Sequence, residues 1–312
     1  MVQTVLGPVA GSALGATLMH EHIIMIDPAM TLAFPDWLDM DRFAQVVGPQ
    51  LKRLYELGIR TIIDATPINL GRDVRVIEAM SQLSGIHMIA CTGLYHYENP
   101  WVCNPDPEWT AEMYIREITQ GIQGTSIRAG AIKCATDENG VTDWNRAMLQ
   151  AAAMASVKCD VPILSHTCVE KKNGIDQMKV LLDAGASPKR VVIGHSGDSN
   201  DIGYLKELLA SGCWLGMDRF GLEQFNPMDR RIDTLAKLIG MGYAGQLLLS
   251  HDSNFYSDPW RPWHAERYAP QTAGHNMRMI SEIVLPRLRE MGIGQDVIDR
   301  MMQDNVQRLF EG

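Results

Sequence analysis

Thr17-Leu18-Met19-His20-Glu21-His22-Ile23-Ile24 sets two imidazoles one residue apart inside an apolar run. Side chains of an extended strand alternate faces, so His20 and His22 point the same way and Glu21 points away. Neutral imidazole is the commonest metal-ligating side chain, accepted by zinc, iron, cobalt and manganese. A single His-x-His is equally compatible with two structural histidines at the end of a strand. The rest of the chain has to decide.

Four more apolar runs end in, or carry, groups of the same kind. Gly130-Ala131-Ile132-Lys133-Cys134-Ala135 holds a lysine, and Ile163-Leu164-Ser165-His166 and Val191-Val192-Ile193-Gly194-His195 end in histidine. Leu247-Leu248-Leu249-Ser250-His251-Asp252 ends in aspartate. One strand-end histidine is usually a satisfied polar cap. Five strands that each place such a group at one level point instead to a shared metal centre.

Lys133 requires a separate argument. Lysine is almost never fully buried unless paired, and an ammonium next to two divalent cations would be repelled. It could snorkel to a rim or pair with a carboxylate. Alternatively, burial and nearby positive charge favour the neutral amine, which can add carbon dioxide to give a carbamate with two oxygens to bridge two metals. Carbamate, Asp252 and one hydroxide then nearly neutralise two divalent ions. A protonated lysine would leave the charge uncompensated in a low-dielectric site.

Those residues must be carried on elements that bring them to one end. After a short hairpin expected within residues 1–16, the first strand runs through His20, and Asp41 to Gly58 has helical spacing with a glycine stop. Strands at 60–66, 86–93, 129–135, 161–166, 190–195, 213–218 and 246–252 then alternate with helices at 73–84, 108–123, 143–158, 174–184, 201–211 and 230–241. Helical stretches at about 276–291 and 296–310 close the chain. Eight strands, each followed by a helix, predict a (β/α)8 TIM barrel with an N-terminal hairpin and an extra C-terminal helix, as one domain over residues 1–312. A doubly wound sheet is the alternative, but no Gly-x-Gly-x-x-Gly follows a strand. The long irregular stretches 24–40, 94–107 and 253–275 all follow strands on the C-terminal side, where barrels build active sites. Trp101, Trp260 and Trp263 in these loops would wall a cavity or anchor the rim.

With 28 basic against 37 acidic residues and a net charge of -9, the chain lacks the cationic surface that nucleic-acid binding needs. The first residues have no basic n-region and no long apolar h-region, and no stretch reaches the roughly 18 apolar residues of a membrane span. Six scattered cysteines without a Cys-x-x-Cys pair read as reduced, mostly buried small side chains. The expectation is a cytoplasmic protein with a small-molecule substrate, no nucleic acid and no membrane.

Thr-Leu-Met-His-Glu-His at 17–22, Gly-Ala-Ile-Lys at 130–133, Ser-His-Thr at 165–167, Ile-Gly-His-Ser-Gly-Asp at 193–198 and Ser-His-Asp at 250–252 together resemble the phosphotriesterase family of the amidohydrolase superfamily. The resemblance implies a binuclear centre in which His20, His22 and Asp252 hold one metal and His166 and His195 the other. Lys133, as N6-carboxylysine, would bridge them, while His251 alternates to the outside. Zinc is the first expectation for both ions, with cobalt, iron or manganese as alternatives, and a homodimer is implied. Within the family, Gly216-Met217-Asp218-Arg219-Phe220-Gly221 and Thr92-Gly93-Leu94-Tyr95 look like segments of the phosphotriesterase-like lactonases, although Phe220 stands where those have tyrosine and the 253–275 loop differs.

The expected activity is the opening of acyl-homoserine or related lactones, with promiscuous phosphotriester cleavage. Asp252 would move the proton, and Arg219 and Tyr95 would orient the ring or its leaving alkoxide. A hydrolase of N-acyl amino acids or peptides on the same metals is one alternative, and a non-catalytic ligand-binding barrel another. His87 begins a strand far from the active rim, and nothing in the spacing of His96, His264 and His275 requires a role in the site.

Overall fold

The computed structural model describes residues 1–98, 105–258 and 275–312. Trp101, Cys103, Trp260, Trp263 and His264 lie outside the described residues. Strands β1 (Val2–Thr4) and β2 (Gly7–Val9) pair antiparallel as the expected hairpin. Eight parallel strands follow: β3 (Thr17–Glu21), β4 (Thr61–Asp64), β5 (His87–Gly93), β6 (Ala131–Ala135), β7 (Ile163–His166), β8 (Val191–Ile193), β9 (Trp214–Met217) and β10 (Leu247–Leu249). Each pairs with the next in chain order, and right-handed crossovers keep every helix on the outer face, so the sheet curls.

The ring closes just beyond β10. The N–H of Asp252 donates to the His20 carbonyl (3.0 Å) and that of His22 to the Ser253 carbonyl (2.9 Å). The N–H of His20 donates to Ser250 Oγ (2.8 Å). The architecture is a (β/α)8 barrel.

The crossover helices are α2 (Met40–Glu56), α3 (Val74–Ser84), α4 (Pro107–Thr119), α5 (Asp143–Cys159), α6 (Asn173–Asp183), α7 (Ile202–Ala210) and α8 (Met228–Gly240), with a short α1 (Pro28–Ala33) before them. Asp39, Asp73, Asp106, Thr142 and Asp201 cap α2, α3, α4, α5 and α7 by accepting from first-turn N–H groups, each cap contributing about 1 kcal/mol. Phe43, Val47, Leu51 and Leu54 recur on one face of α2 and are buried, which is the stripe a helix lays on a sheet.

Strand alternation sorts the core into two layers. Leu18, Ile62, Ile132, Ile163 and Ile193 point outward beneath the helices. Met19, Ile89, Ala131, Leu164, Trp214 and Leu248 point into the barrel, which Leu14, Val306 and Leu309 plug at the bottom. The C-terminal tips of the strands are left open to hold a site.

Three expectations need correction. Residues 24–40 are not irregular throughout, since Asp27 caps the two-turn α1 with Pro28 in its first turn, a helix start readable in the sequence. The strands expected at 190–195 and 246–252 stop at Ile193 and Leu249, because His195 and Asp252 adopt positive φ (59° and 55°) and leave the extended conformation. The C-terminal helices are interrupted by π-turns at Ile280–Val284 and Arg300–Asp304, ahead of α9 (Leu285–Glu290) and between α10 (Gln295–Asp299) and α11 (Asn305–Glu311). Pro286, which has no N–H to give the preceding turn, accounts for the first of these. Among the described residues no helix is long and apolar enough to cross a membrane.

Candidate metal centre

His20, His22, Lys133, His166, His195 and Asp252 come from five strands and converge on the open end of the barrel. Alternation accounts for most of them. Ala131 faces inward and so does Lys133, Leu164 and so does His166, Leu248 and, four residues on, Asp252. A register shift in β3 between Leu18 and Glu21 lets both Met19 and His20 face the interior. His195 is the exception, since Ile193 faces outward and parity would send His195 after it. The left-handed backbone at His195 turns its ring back to the centre. Arg219 (φ 63°), which parity after Asp218 would also send outward, uses the same device, and Asp252 (φ 55°) shares the left-handed conformation, which costs a non-glycine residue about 1 kcal/mol or more and clusters where position matters.

Each of the four histidines has one ring nitrogen held from outside and the other free to face the group. His20 Nδ1 lies 3.3 Å from Asp218 Oδ2, and its Nε2 lies 2.8 Å from Lys133 Nζ and 3.5 Å from Asp252 Oδ1. His22 Nδ1 meets Thr66 Oγ1 at 2.8 Å, and its Nε2 meets Asp252 Oδ1 at 3.1 Å. His195 Nδ1 lies 2.9 Å from Asp218 Oδ1, and its Nε2 is 2.7 Å from His166 Nδ1. The outer nitrogen of His166, Nε2, lies 3.4 Å from Asp137 Oδ2. Metal-binding imidazoles are ordinarily oriented in this way, the outer N–H donating to an oxygen.

Ionisation states follow from burial and neighbours. Burial, reinforced by Lys133, brings His20 down to about 3, and burial with His195 beside it lowers His166 well below the usual imidazole value. Burial likewise lowers Lys133, only partly offset by Asp252. Burial opposes charge on Asp252 and Asp218, yet the adjacent histidines hold both carboxyls below the usual range, with Arg219 helping at Asp252. His20 and His166 are therefore neutral imidazoles, and with His22, His195, a lysine biased toward the uncharged amine and the Asp252 carboxylate they make a donor set that suits a divalent transition metal. His20, His22 and Asp252 form one group with ligand atoms close enough to share an ion. His20, His195 and Asp218 form another by distance alone. Because Asp218 meets the outer Nδ1 atoms of both rings, it acts as their hydrogen-bond acceptor.

These shifts set the pH dependence of the metal-free fold. His20 and His166 bind fewer protons folded than unfolded, so the unfolded chain gains protons, and stability falls, as pH drops from about 6.5 toward 3. Asp252, held below its ordinary value, adds loss of the same sign below about pH 4. The urea midpoint of chelator-treated protein is expected to be lower at about pH 5 than at about pH 7. An unchanged midpoint would contradict the neutral-imidazole assignment.

Glu21 and His251, expected to face away from the centre, do so, and they face each other. Glu21 Oε1 accepts from His251 Nδ1 (2.7 Å), the His251 N–H (2.9 Å) and Ser250 Oγ (2.7 Å), while Oε2 accepts from the Ser253 N–H (2.9 Å). His251 Nε2 accepts from the Ile280 N–H (2.9 Å). This buried clamp fastens β3 to the end of β10 and so sets His20 and His22 against Asp252.

Asp218 is the site residue that the sequence reading did not single out. It follows the inward residues Trp214 and Gly216, and that parity was the available signal. A Cβ at Gly216 would lie 2.9 Å from Asp218 Oδ2 and 3.0 Å from Gly194 Cα, so glycine there makes room for the carboxylate. His96, set aside from its spacing, also reaches the site: its ring lies nearly parallel to that of His166, centroids 5.9 Å apart. His275 Nε2 donates to the His251 carbonyl (3.0 Å), and His87 starts β5 at the opposite end.

Above the group opens a cavity of ≈ 180 Å³ with apolar walls from Met25, Leu70, Leu222 and Phe225. Arg219 and Tyr95 line it as well. Arg219 Nε lies 2.9 Å from Asp252 Oδ2, its Nη1 lies 3.0 Å from Asp198 Oδ2, and its guanidinium covers the Phe225 ring. Tyr95 OH is 3.5 Å from His166 Nε2, and burial raises its phenol well above the ordinary value. Phe220 is fully buried away from the cavity.

A model of the phosphotriesterase family matches residues 1–310. An aryldialkylphosphatase of Saccharolobus solfataricus is 33% identical over 302 residues, covering 95% of each chain. An N-acetyltaurine hydrolase of Rattus norvegicus is 28% identical over 344 residues, covering 97% of this chain and 96% of that one. The structure of the phosphotriesterase from Mycobacterium tuberculosis matches at 35% identity with a TM-score of 0.90, covering 99% of this chain and 98% of that one.

Proposed function

This chain belongs to the phosphotriesterase family, and from that premise we propose that it is a binuclear metal-dependent hydrolase that opens lactones and cleaves phosphotriesters promiscuously. The observation that carries the proposal is the convergence of four imidazoles, a buried amine and Asp252 beneath a cavity that Arg219 and Tyr95 enter from the rim. His20, His22 and Asp252 would hold one ion and His166 and His195 the second, with Lys133 between them as N6-carboxylysine. Zinc suits the imidazoles; cobalt, iron and manganese are the other candidates. Such ions, when bound, polarise the attacked carbonyl and bring the pKa of water down to about 7.

The chain's own residues do the rest. Asp252 is anionic at neutral pH and takes the proton from the attacking water on its carboxylate, then returns it to the leaving oxygen. Arg219, already fixed between Asp252 and Asp198, offers a cation to the alkoxide released when the ring opens. Tyr95, a neutral phenol, donates a hydrogen bond beside it. The apolar walls favour an acyl chain or alkyl ester over a highly charged ligand.

A second reading, hydrolysis of an N-acyl amino acid or related amide, draws support from the similarity to an N-acetyltaurine hydrolase over nearly the whole chain. Turnover of acyl-homoserine lactones, sugar lactones, aryl phosphotriesters and N-acyl amino acids by metal-reconstituted protein separates the two. Lactone kcat/KM is expected to exceed the others by tenfold or more. Faster amide hydrolysis would replace the lactonase reading, and binding without turnover would favour a non-catalytic barrel. The same proposal places the enzyme in the cytoplasm as a homodimer with a small-molecule substrate and neither nucleic-acid nor membrane partner. The acidic balance and the free state of Cys91, Cys134, Cys159, Cys168 and Cys213 fit that placement.

A further inference from the structure

We infer that Asp137, outside the six converging residues, is a positioning residue that fixes the tautomer of His166, and that His96 pins its carboxylate in place. The inference rests on the metal-centre reading above. Asp137 lies two residues past β6, the strand of Lys133, in a loop held by several bonds. Its carbonyl accepts from Asn173 Nδ2 (3.0 Å) and the Gly140 N–H (2.8 Å), and its Oδ1 accepts from the Glu138 N–H (3.0 Å). With backbone and one oxygen fixed, Oδ2 has little freedom.

That oxygen lies 3.0 Å from His96 Nε2 and 3.4 Å from His166 Nε2. The other nitrogen of His166, Nδ1, is the one that faces His195 Nε2. A neutral imidazole carries one proton, and whichever nitrogen holds it cannot donate a lone pair. A carboxylate at Nε2 draws the proton there and leaves Nδ1 bare toward the centre.

His96 donates to the same Oδ2 from the opening, its own carbonyl tied to Asn145 Nδ2 (3.4 Å), so the carboxylate is gripped from two sides. The other nearby group, Tyr95 OH, is farther at 3.5 Å and uncharged. The other three imidazoles have outer partners deep in the barrel, Asp218 and Thr66, whereas the outer partner of His166 is near the rim, the Asp137 side chain being 30% exposed. The orientation of His166 is therefore set by a residue that can be altered without repacking the core.

The test is metal content. Zinc-loaded wild type, Asp137→Asn, Asp137→Ala and His96→Ala are dialysed against a chelator series, and ions per chain are read by elemental analysis, with the thermal midpoint of the stripped proteins read alongside. Wild type is expected to carry two ions. Asp137→Ala should release one of them at chelator concentrations about 10- to 100-fold lower, with Asp137→Asn, which keeps an acceptor, in between and the stripped midpoints nearly unchanged. His96→Ala should move release of the same ion a few-fold in the same direction, and it carries the test alone should Asp137→Ala fail to fold. Wild-type retention of both ions in the variants, or equal loss of both, overturns the inference while the metal-centre reading stands. A wild type that binds no ions after reconstitution removes both.

Discussion

Lys133→Ala is expected to leave the protein with at most one ion per chain after reconstitution, and with kcat reduced by about 10³-fold or more, or about 4 kcal/mol of lost transition-state stabilisation. Lys133 is 1% exposed in the barrel interior, where a lysine normally requires an anionic partner. Its Nζ instead lies 2.8 Å from His20 Nε2, a nitrogen that the metal reading needs as a lone pair. Burial favours the uncharged amine, the form that reacts with carbon dioxide. The methyl group of alanine can neither bridge two ions nor supply the negative charge that lets them sit close together. The barrel itself should survive, because the pairing of Lys133 with Gly93 and Leu164 on the neighbouring strands is made by its backbone. Elemental analysis and circular dichroism on one preparation read both parts. Two retained ions would dispose of the bridging lysine.

Asp252→Asn separates binding from proton transfer. The amide keeps an oxygen near His22 Nε2, now 3.1 Å from Oδ1, so the metal content is expected to stay close to that of wild type. What is lost is a carboxylate that can take a proton during attack and release it to the leaving group, a contribution of about 10²–10⁴-fold in kcat. The substitution also leaves Arg219 with Asp198 as its remaining anionic partner, so KM for lactones should change far less than kcat. Steady-state kinetics on protein of verified metal content measures both, and near-full kcat would rule out Asp252 as the proton carrier.

Much of this was legible from one-dimensional pattern, because local sequence encodes periodicity, caps and the polarity of strand ends. Apolar runs that end in His166 and Asp252, or carry Lys133, announced both the strands and the chemistry at their tips. Period-two alternation placed Lys133, His166 and Asp252 inside, and Glu21 and His251 outside. The helices expected from Asp73 and from residue 201 begin at the aspartates that cap α3 and α7, and the eightfold repeat marked the barrel.

Other features depended on which strands become neighbours once the ring closes. Alternation says that Glu21 and His251 leave the centre, but only the meeting of β3 with the end of β10, 230 residues apart, turns them into a clamp. His195 reaches the centre through a left-handed backbone against the parity of its strand, a choice stabilised by Asp218, whose Oδ2 accepts from the His195 N–H at 3.0 Å. Parity after Trp214 and Gly216 turns Asp218 inward without giving it a partner, and Asp137 carries no local mark that separates it from a surface aspartate. Their roles come from the imidazoles that loops and strand tips bring to them, since an outer hydrogen bond to a ligand needs a distance and an angle across the barrel, and local propensity encodes neither.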